Sequence, residues 1–209
     1  MGVMAGISSP ADQAPAAHAK RQLRRELRAL RAAQPPKVAR AAERSATRRL
    51  WLLPQLARAR RIAVYLPVGS ELDCTRLVRE AWRRGRQVFL PVITRRGLRF
   101  APFHARSELR VNRFGIPEPA AGAGHWRPAR ELDVVIAPLL AFDRQGRRLG
   151  MGGGYYDRTL AFRTRRTCSR RPHFIALAFE LQQLDALPFA AWDVRLDAVV
   201  TESATHRFA

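Results

Sequence analysis

Leu23, Leu27 and Leu30 recur at i, i+4 and i+7 within residues 19–34, a spacing that lines them along one stripe of an amphipathic helix. Pro35 and Pro36 end it, because proline cannot supply the N–H that a continuing helix needs. A second helix is predicted over about residues 38–53 and another over residues 75–84. Between them, residues 61–67 (RIAVYLP) form a short apolar run closed by Pro67 and Gly69, the pattern of a buried strand feeding a loop. Residues 87–93 read as a further strand, with residues 97–103 folded back on it as a hairpin. A Pro/Gly-rich loop over residues 115–128 leads to residues 132–138, nearly all apolar, as expected of a strand covered on both faces. The glycine-rich segment 150–154 then precedes a helix starting near Tyr155. After a basic loop over residues 163–171, residues 174–179 and 198–201 supply the last two strands. Alternating strands and helices predict an α/β fold in three layers, a mostly parallel sheet with helices on both faces. A single domain is expected over residues 19–209, preceded by a disordered tail of Ala, Pro and Ser over residues 1–18.

Composition narrows the class. With 47% hydrophobic and 26% charged residues in 209, the chain has the balance of a globular protein, neither disordered nor collagen-like. The longest uncharged run in its apolar heart, residues 134–142, is well short of the roughly 18 residues a membrane helix needs. No membrane association is therefore expected. The first 17 residues hold no Lys or Arg and no continuous apolar stretch, so no secretory signal is expected either. Cys74 and Cys168 stand far apart without metal-ligand spacing, which fits a reducing, cytoplasmic setting.

The net charge of +21 comes from 38 basic residues, of which only Lys20 and Lys37 are lysines. A nucleic-acid binder gathers its cations on one face and interleaves aromatics for stacking. Here arginine is scattered through nearly every segment, so a dedicated nucleic-acid role is not expected. The field still favours polyanionic small molecules.

The segment with most chemical content is residues 147–157, RRLGMGGGYYD, with four glycines in five positions between a strand and a helix. A backbone this bare can approach a ligand closely. Its successive N–H groups, the following helix and Arg147 or Arg148 suit phosphate. It is neither a dinucleotide fingerprint, which would need glycine where Tyr155 stands, nor a Walker A loop. Asp157 reads as a helix-dipole residue or as a ligand. Asp193 reads as a turn residue, or as its partner on Mg²⁺, which takes one or two protein carboxylates when it is bound to nucleotide phosphates. Lys20 and Arg24 are i, i+4 neighbours, either a solvated basic face or a phosphate clamp. Glu71 sits in a loop at a strand's carboxyl end, where open α/β sheets bind ligands.

Taken together, the segments KRQLR (20–24), YLP (65–67) with Glu71, FGIPEP (114–119), residues 138–143, RLGMGGGYYDR (148–158), Leu187-Pro188 and Trp192-Asp193 resemble the 5-formyltetrahydrofolate cyclo-ligase family. The resemblance spans roughly residues 20–201. It implies ATP- and Mg²⁺-dependent closure of 5-formyltetrahydrofolate to 5,10-methenyltetrahydrofolate with release of ADP and phosphate. By position, Lys20, Arg24, Arg148, Leu149, Gly150, Met151, Gly152, Gly153, Gly154, Tyr155 and Tyr156 would bind ATP. Asp157 and Asp193 would hold Mg²⁺. Leu66, Glu71 and Tyr155 would face the folate, and Tyr155 and Arg148 would serve the chemistry. Met151 departs from the cation or aromatic residue of many relatives, a loss that Arg147 is expected to offset in part. The resemblance further implies a cytoplasmic enzyme, expected to be a monomer, whose partners are ATP and 5-formyltetrahydrofolate, polyglutamylated or not. The alternatives are a sugar-phosphate isomerase-like enzyme acting on phosphate esters, which would need no ATP, and a nucleic-acid-binding module using the basic surface.

Overall fold

A computed structural model describes residues 10–165 and 171–208. Helix α1 (Pro10–Ala32) stops where the proline pair begins. Helices α2 (Pro36–Trp51) and α3 (Pro54–Ala57) each open on proline in the first turn, where its missing N–H costs nothing and its fixed φ already suits a helix. Strand β1 (Arg61–Ala63) and helix α4 (Thr75–Arg83) lead to the hairpin of β2 (Gln87–Thr94) and β3 (Gly97–Phe103). A small ribbon of β4 (Leu109–Val111) and β5 (Pro117–Pro119) follows, then β6 (Val134–Ala137) and a short hairpin, β7 (Ala141–Phe142) with β8 (Arg148–Leu149). Helix α5 (Tyr155–Leu160) and strands β9 (His173–Leu177), β10 (Ala198–Val200) and β11 (Thr205–Arg207) complete the order.

Seven strands form the main sheet in the order β11-β10-β9-β6-β1-β2-β3. The five inner strands are parallel, and the edges β11 and β3 run antiparallel to their neighbours. Side chains alternate between two cores. Ile62, Val134, Ile136 and Ile175 pack beneath α2, α3 and α4 with Leu50, Leu56 and Leu77. Ala63, Val135, Ala137 and Phe174 face the opposite core, with Leu160 of α5 and Phe100 of β3. Because side chains alternate with a period of two, neighbouring residues of one strand serve different layers, and this is why residues 134–137 are apolar without a break. The three-layer, mostly parallel expectation holds.

Four expectations need correction. The stretch expected as a loose tail over residues 1–18 is helical from Pro10, while residues 1–9 lie outside the described residues. The strand expected over residues 61–67 keeps ladder geometry only to Ala63; the Val64 N–H still reaches the Phe89 carbonyl at 2.9 Å, and beyond it the backbone leaves the sheet toward Pro67. The proline-rich loop at 115–128 contains β5, which among the described residues pairs only with β4 and so needs few donors of its own; Asn112 Oδ1 accepts the N–H groups of Phe114 and Ile116 to make the turn. Strand 198–201 is not the last, since β11 follows it antiparallel. Of the expected basic loop at 163–171, residues 166–170 lie outside the described residues; Ala161–Arg165 is a 3₁₀ turn.

Candidate active site

The connections leaving the carboxyl ends of β1 and β6 enclose, with α1, α5 and the β2–β3 hairpin, a cavity of about 600 Å³. It is lined by each residue that the resemblance implies: Lys20, Arg24, Leu66, Glu71, the segment 148–156, Asp157 and Asp193. Residues more than a hundred positions apart in the chain thus converge on one volume.

The glycine segment forms one wall. Gly152 (φ +103°) and Gly154 (φ +61°) adopt backbone that a side chain would strain, the second turning the chain into α5. Gly153 is different: its φ is ordinary, and a Cβ there would sit 2.8 Å from the Tyr155 ring. Gly150 has open space around it. Helix α5 has only six residues, so its dipole adds little, and any affinity for phosphate rests on backbone N–H groups and nearby cations.

Lys20 and Arg24 bring such cations from α1, beside Arg148 and Arg158 from the segment itself. Arg24 Nε donates to the Gly150 carbonyl at 2.9 Å, and Arg28 Nη2 lies 3.5 Å from Met151 Sδ. Leu27 of the same helix packs on Leu140, Ala141 and Leu149. Partial burial, and then the neighbouring Arg28, lower the Arg24 pKa, though a guanidinium stays charged at neutral pH. Arg147 is not the substitute cation beside Met151: its guanidinium lies over the Phe189 ring, 5.2 Å from the centroid, and it is not among the cavity-lining residues. The cation in contact with Met151 is Arg28, itself outside the cavity lining.

Arg148 lines the cavity but is committed to protein partners. Its side chain is 6% exposed; Nη2 bonds Asp157 Oδ1 at 2.7 Å, Nη1 donates to the Val194 carbonyl, and the guanidinium stacks on Phe174. Asp157 Oδ1 also accepts the Val194 N–H at 3.0 Å. Asp157 and the loop that carries Asp193 are thereby tied together. Asp193 Oδ2 accepts the Ala190 N–H. Among the described residues, no group of three or more His, Cys, Asp or Glu is placed to hold a metal. Two carboxylates on one cavity, each with one oxygen engaged, nevertheless fit a Mg²⁺ ion whose other ligands are phosphates and water.

At the other end, Leu66 and Glu71 lie with buried Tyr65 and partly buried Tyr156. Glu71 Oε2 accepts the Val68 N–H at 3.0 Å. Burial raises the Glu71 pKa; that backbone bond and the positive charge of Arg31 oppose the rise. Tyr155 meets Phe114 edge-on at 6.3 Å and lies beneath the Arg158 guanidinium.

Sequence reasoning gave no role to several lining residues. Phe114, Ile116 and Glu118 enter on the β4–β5 ribbon, and Glu118 Oε1 ties it to β2 by accepting from the Ile93 N–H, while also accepting from Asn112 Nδ2 within the ribbon. Trp192, 73% exposed, stands at the cavity beside Asp193. An aromatic immediately before a candidate metal ligand was the available signal.

Comparison with known proteins shows the family. The model of the 5-formyltetrahydrofolate cyclo-ligase family matches residues 16–202. The chain is 40% identical over 161 residues to the 5-formyltetrahydrofolate cyclo-ligase of Escherichia coli K12, covering 76% of this chain and 86% of that one. It is 36% identical over 180 residues to the Haemophilus influenzae protein of the same name, covering 85% and 94%. The solved 5,10-methenyltetrahydrofolate synthetase of Aquifex aeolicus superposes with a TM-score of 0.75 at 30% identity, over 90% of this chain and 92% of that one.

Proposed function

This chain belongs to the 5-formyltetrahydrofolate cyclo-ligase family, and on that premise we propose that it closes 5-formyltetrahydrofolate to 5,10-methenyltetrahydrofolate at the expense of ATP. The carrying observation is the convergence of the glycine segment, Lys20, Arg24, Glu71, Asp157 and Asp193 on one cavity. Membership leaves the isomerase and nucleic-acid alternatives without support. Among the described residues no helix is long and apolar enough to cross a membrane.

A formamide oxygen is a poor leaving group. Its attack on the γ-phosphorus of ATP expels ADP and gives an N5 iminium carrying phosphate on the formyl carbon. N10 then attacks that carbon, loses its proton, and the C–O bond breaks to release phosphate. No protein nucleophile is needed, so the chain's work is placement and charge compensation. Lys20, Arg24 and the N–H groups of residues 150–154 hold the triphosphate. Asp157, oriented by Arg148, and Asp193 would hold Mg²⁺, which when bound offsets phosphate charge. Tyr155 stands between the phosphate wall and the folate end, where Leu66 covers the pterin and the Glu71 carboxylate takes its N–H donors.

Mixing the protein with 5-formyltetrahydrofolate and Mg·ATP should produce the methenyltetrahydrofolate absorbance with one ADP per turnover. No absorbance change, or turnover without ATP, overturns the reading.

A further inference from the structure

Arg31, near the carboxyl end of α1, is 4% exposed. A guanidinium is rarely buried unless its donors are used. Nε donates to Ser70 Oγ at 3.1 Å and Nη1 to the Leu139 carbonyl at 3.2 Å. Ser70 immediately precedes Glu71, and Leu139 immediately follows Pro138, another cavity-lining residue. One side chain thus bolts together the loops leaving β1 and β6, the two inner strands whose carboxyl ends floor the cavity.

The partners matter as much as the burial. Arg31 acts on Glu71 through space, while its hydrogen bonds go to the neighbouring serine and to a carbonyl. A bidentate Arg–Glu pair would consume the carboxylate. This arrangement holds the loop and leaves Glu71 Oε1 for a ligand, Oε2 being taken by the Val68 N–H.

We propose that Arg31 is the positioning residue of the folate subsite, fixing the Ser70–Glu71 loop against Leu139 and giving the Glu71 carboxylate its countercharge. The proposal rests on Glu71 facing folate, as in the reading above, and adds a residue that touches neither substrate. Burial, the Val68 N–H and Arg31 from α1 act on Glu71, whose own charge is felt by Tyr65 and Cys74 from the loop between β1 and α4 and by Tyr156 from α5. Burial raises the pKa of both tyrosines and of the thiol, keeping them neutral. Arg31 is therefore the charged member.

The test compares Arg31→Gln, Arg31→Lys, Ser70→Ala and Glu71→Gln, with KM measured separately for 5-formyltetrahydrofolate and for ATP. Arg31→Gln should raise the folate KM about 10-fold or more, the effect of one lost charge-assisted contact, and leave the ATP KM within about twofold. Its acid limb in folate kcat/KM should move to higher pH, because the charge opposing protonation of Glu71 is gone. Arg31→Lys should restore the pH profile but only part of the affinity, and Ser70→Ala should cause a smaller, folate-only loss. Combined with Glu71→Gln, Arg31→Gln should add almost nothing, since both act on one contact. A folate KM raised by Glu71→Gln but normal in Arg31→Gln overturns the role of Arg31 alone. Normal folate KM in both variants overturns the subsite reading and, with it, the proposal. Equal rises in both KM values with a lowered melting temperature mark Arg31 as merely structural and also overturn it. Should Arg31→Gln fail to fold, Ser70→Ala decides: an unchanged folate KM there is the overturning result.

Discussion

On the proposed function, the two ends of the cavity, one for phosphate and one for folate, are built on opposite principles. The phosphate wall is backbone, made of glycines 150–154 with cations contributed from α1 and a carboxylate pair at its foot. The folate end is side chain, one partly buried carboxylate among apolar and phenolic groups with a countercharge supplied from α1 through the neighbouring serine. A backbone wall accepts any ligand with enough negative oxygens and gains from each added charge. An isolated buried carboxylate pays a desolvation penalty and recovers it only against a matched donor pattern. On the proposed function, affinity for ATP and selectivity for folate fall to different parts of one volume.

The most severe way to break the phosphate end is to remove its carboxylates. Asp193→Asn should cut turnover about 100-fold or more and raise the Mg²⁺ concentration for half-maximal rate, with little change in melting temperature, because an amide oxygen can still accept the Ala190 N–H. Asp157→Asn should match that loss and also destabilise the fold, because it strips the charge that pairs with buried Arg148. Wild-type Mg²⁺ dependence in both variants would remove the metal from this corner.

Next in size are the α1 cations. Lys20→Ala and Arg24→Ala should each weaken ATP roughly 10- to 150-fold, corresponding to about 1.5–3 kcal/mol for a charge-assisted contact, and leave folate binding without nucleotide nearly unchanged. Arg28 is no neutral control, given its contact with Met151; exposed Arg25 serves better. Equal small effects at positions 20, 24 and 25 would return this face of α1 to solvent.

The contrast between the two ends also explains what the sequence could say. A wall made of backbone writes itself into the chain as glycine, so the segment 150–154 and the turn into α5 were legible before any fold was known. The parallel sheet was legible for the same reason, since its buried strands are unbroken apolar runs. Other features left no local trace. Hairpin β7–β8 has two residues per strand, too few for any period to show. The grip of Arg31 on Ser70 spans 39 positions, and in a chain where nearly every cation is arginine nothing marks it out. Arg147 misled because charge next to a glycine loop reads as ligand-binding, whereas a guanidinium is also content over an aromatic ring.

A finer test separates glycine needed by the fold from glycine needed by the ligand. Gly150→Ala meets nothing within 4 Å in the free protein and requires no unusual φ, so stability should hold. If triphosphate oxygens approach this backbone, the added methyl should raise the ATP KM about 10-fold, roughly 1.4 kcal/mol. Gly153→Ala pushes on the Tyr155 ring instead and should disturb the ATP and folate KM values together. A silent Gly150→Ala would mean that phosphate keeps its distance from that residue.

The smallest effect is the pH response of the folate end, and it bears most directly on the contrast. Burial holds the Glu71 pKa above the ordinary carboxylate value, against the Val68 N–H and the charge of Arg31. The ionised form that accepts pterin donors therefore fills at higher pH than for a free glutamate, and folate kcat/KM should climb with pH through a limb displaced upward from about 4.3. If Asp157 and Asp193 act on nucleotide, as proposed, the same limb should be missing when ATP is varied at saturating folate. Glu71→Gln should flatten it in the folate profile while lowering the plateau, since an amide presents one donor where two acceptors are wanted. A limb that persists in Glu71→Gln, or appears equally in both profiles, would assign it to another group and leave the folate end defined by shape alone.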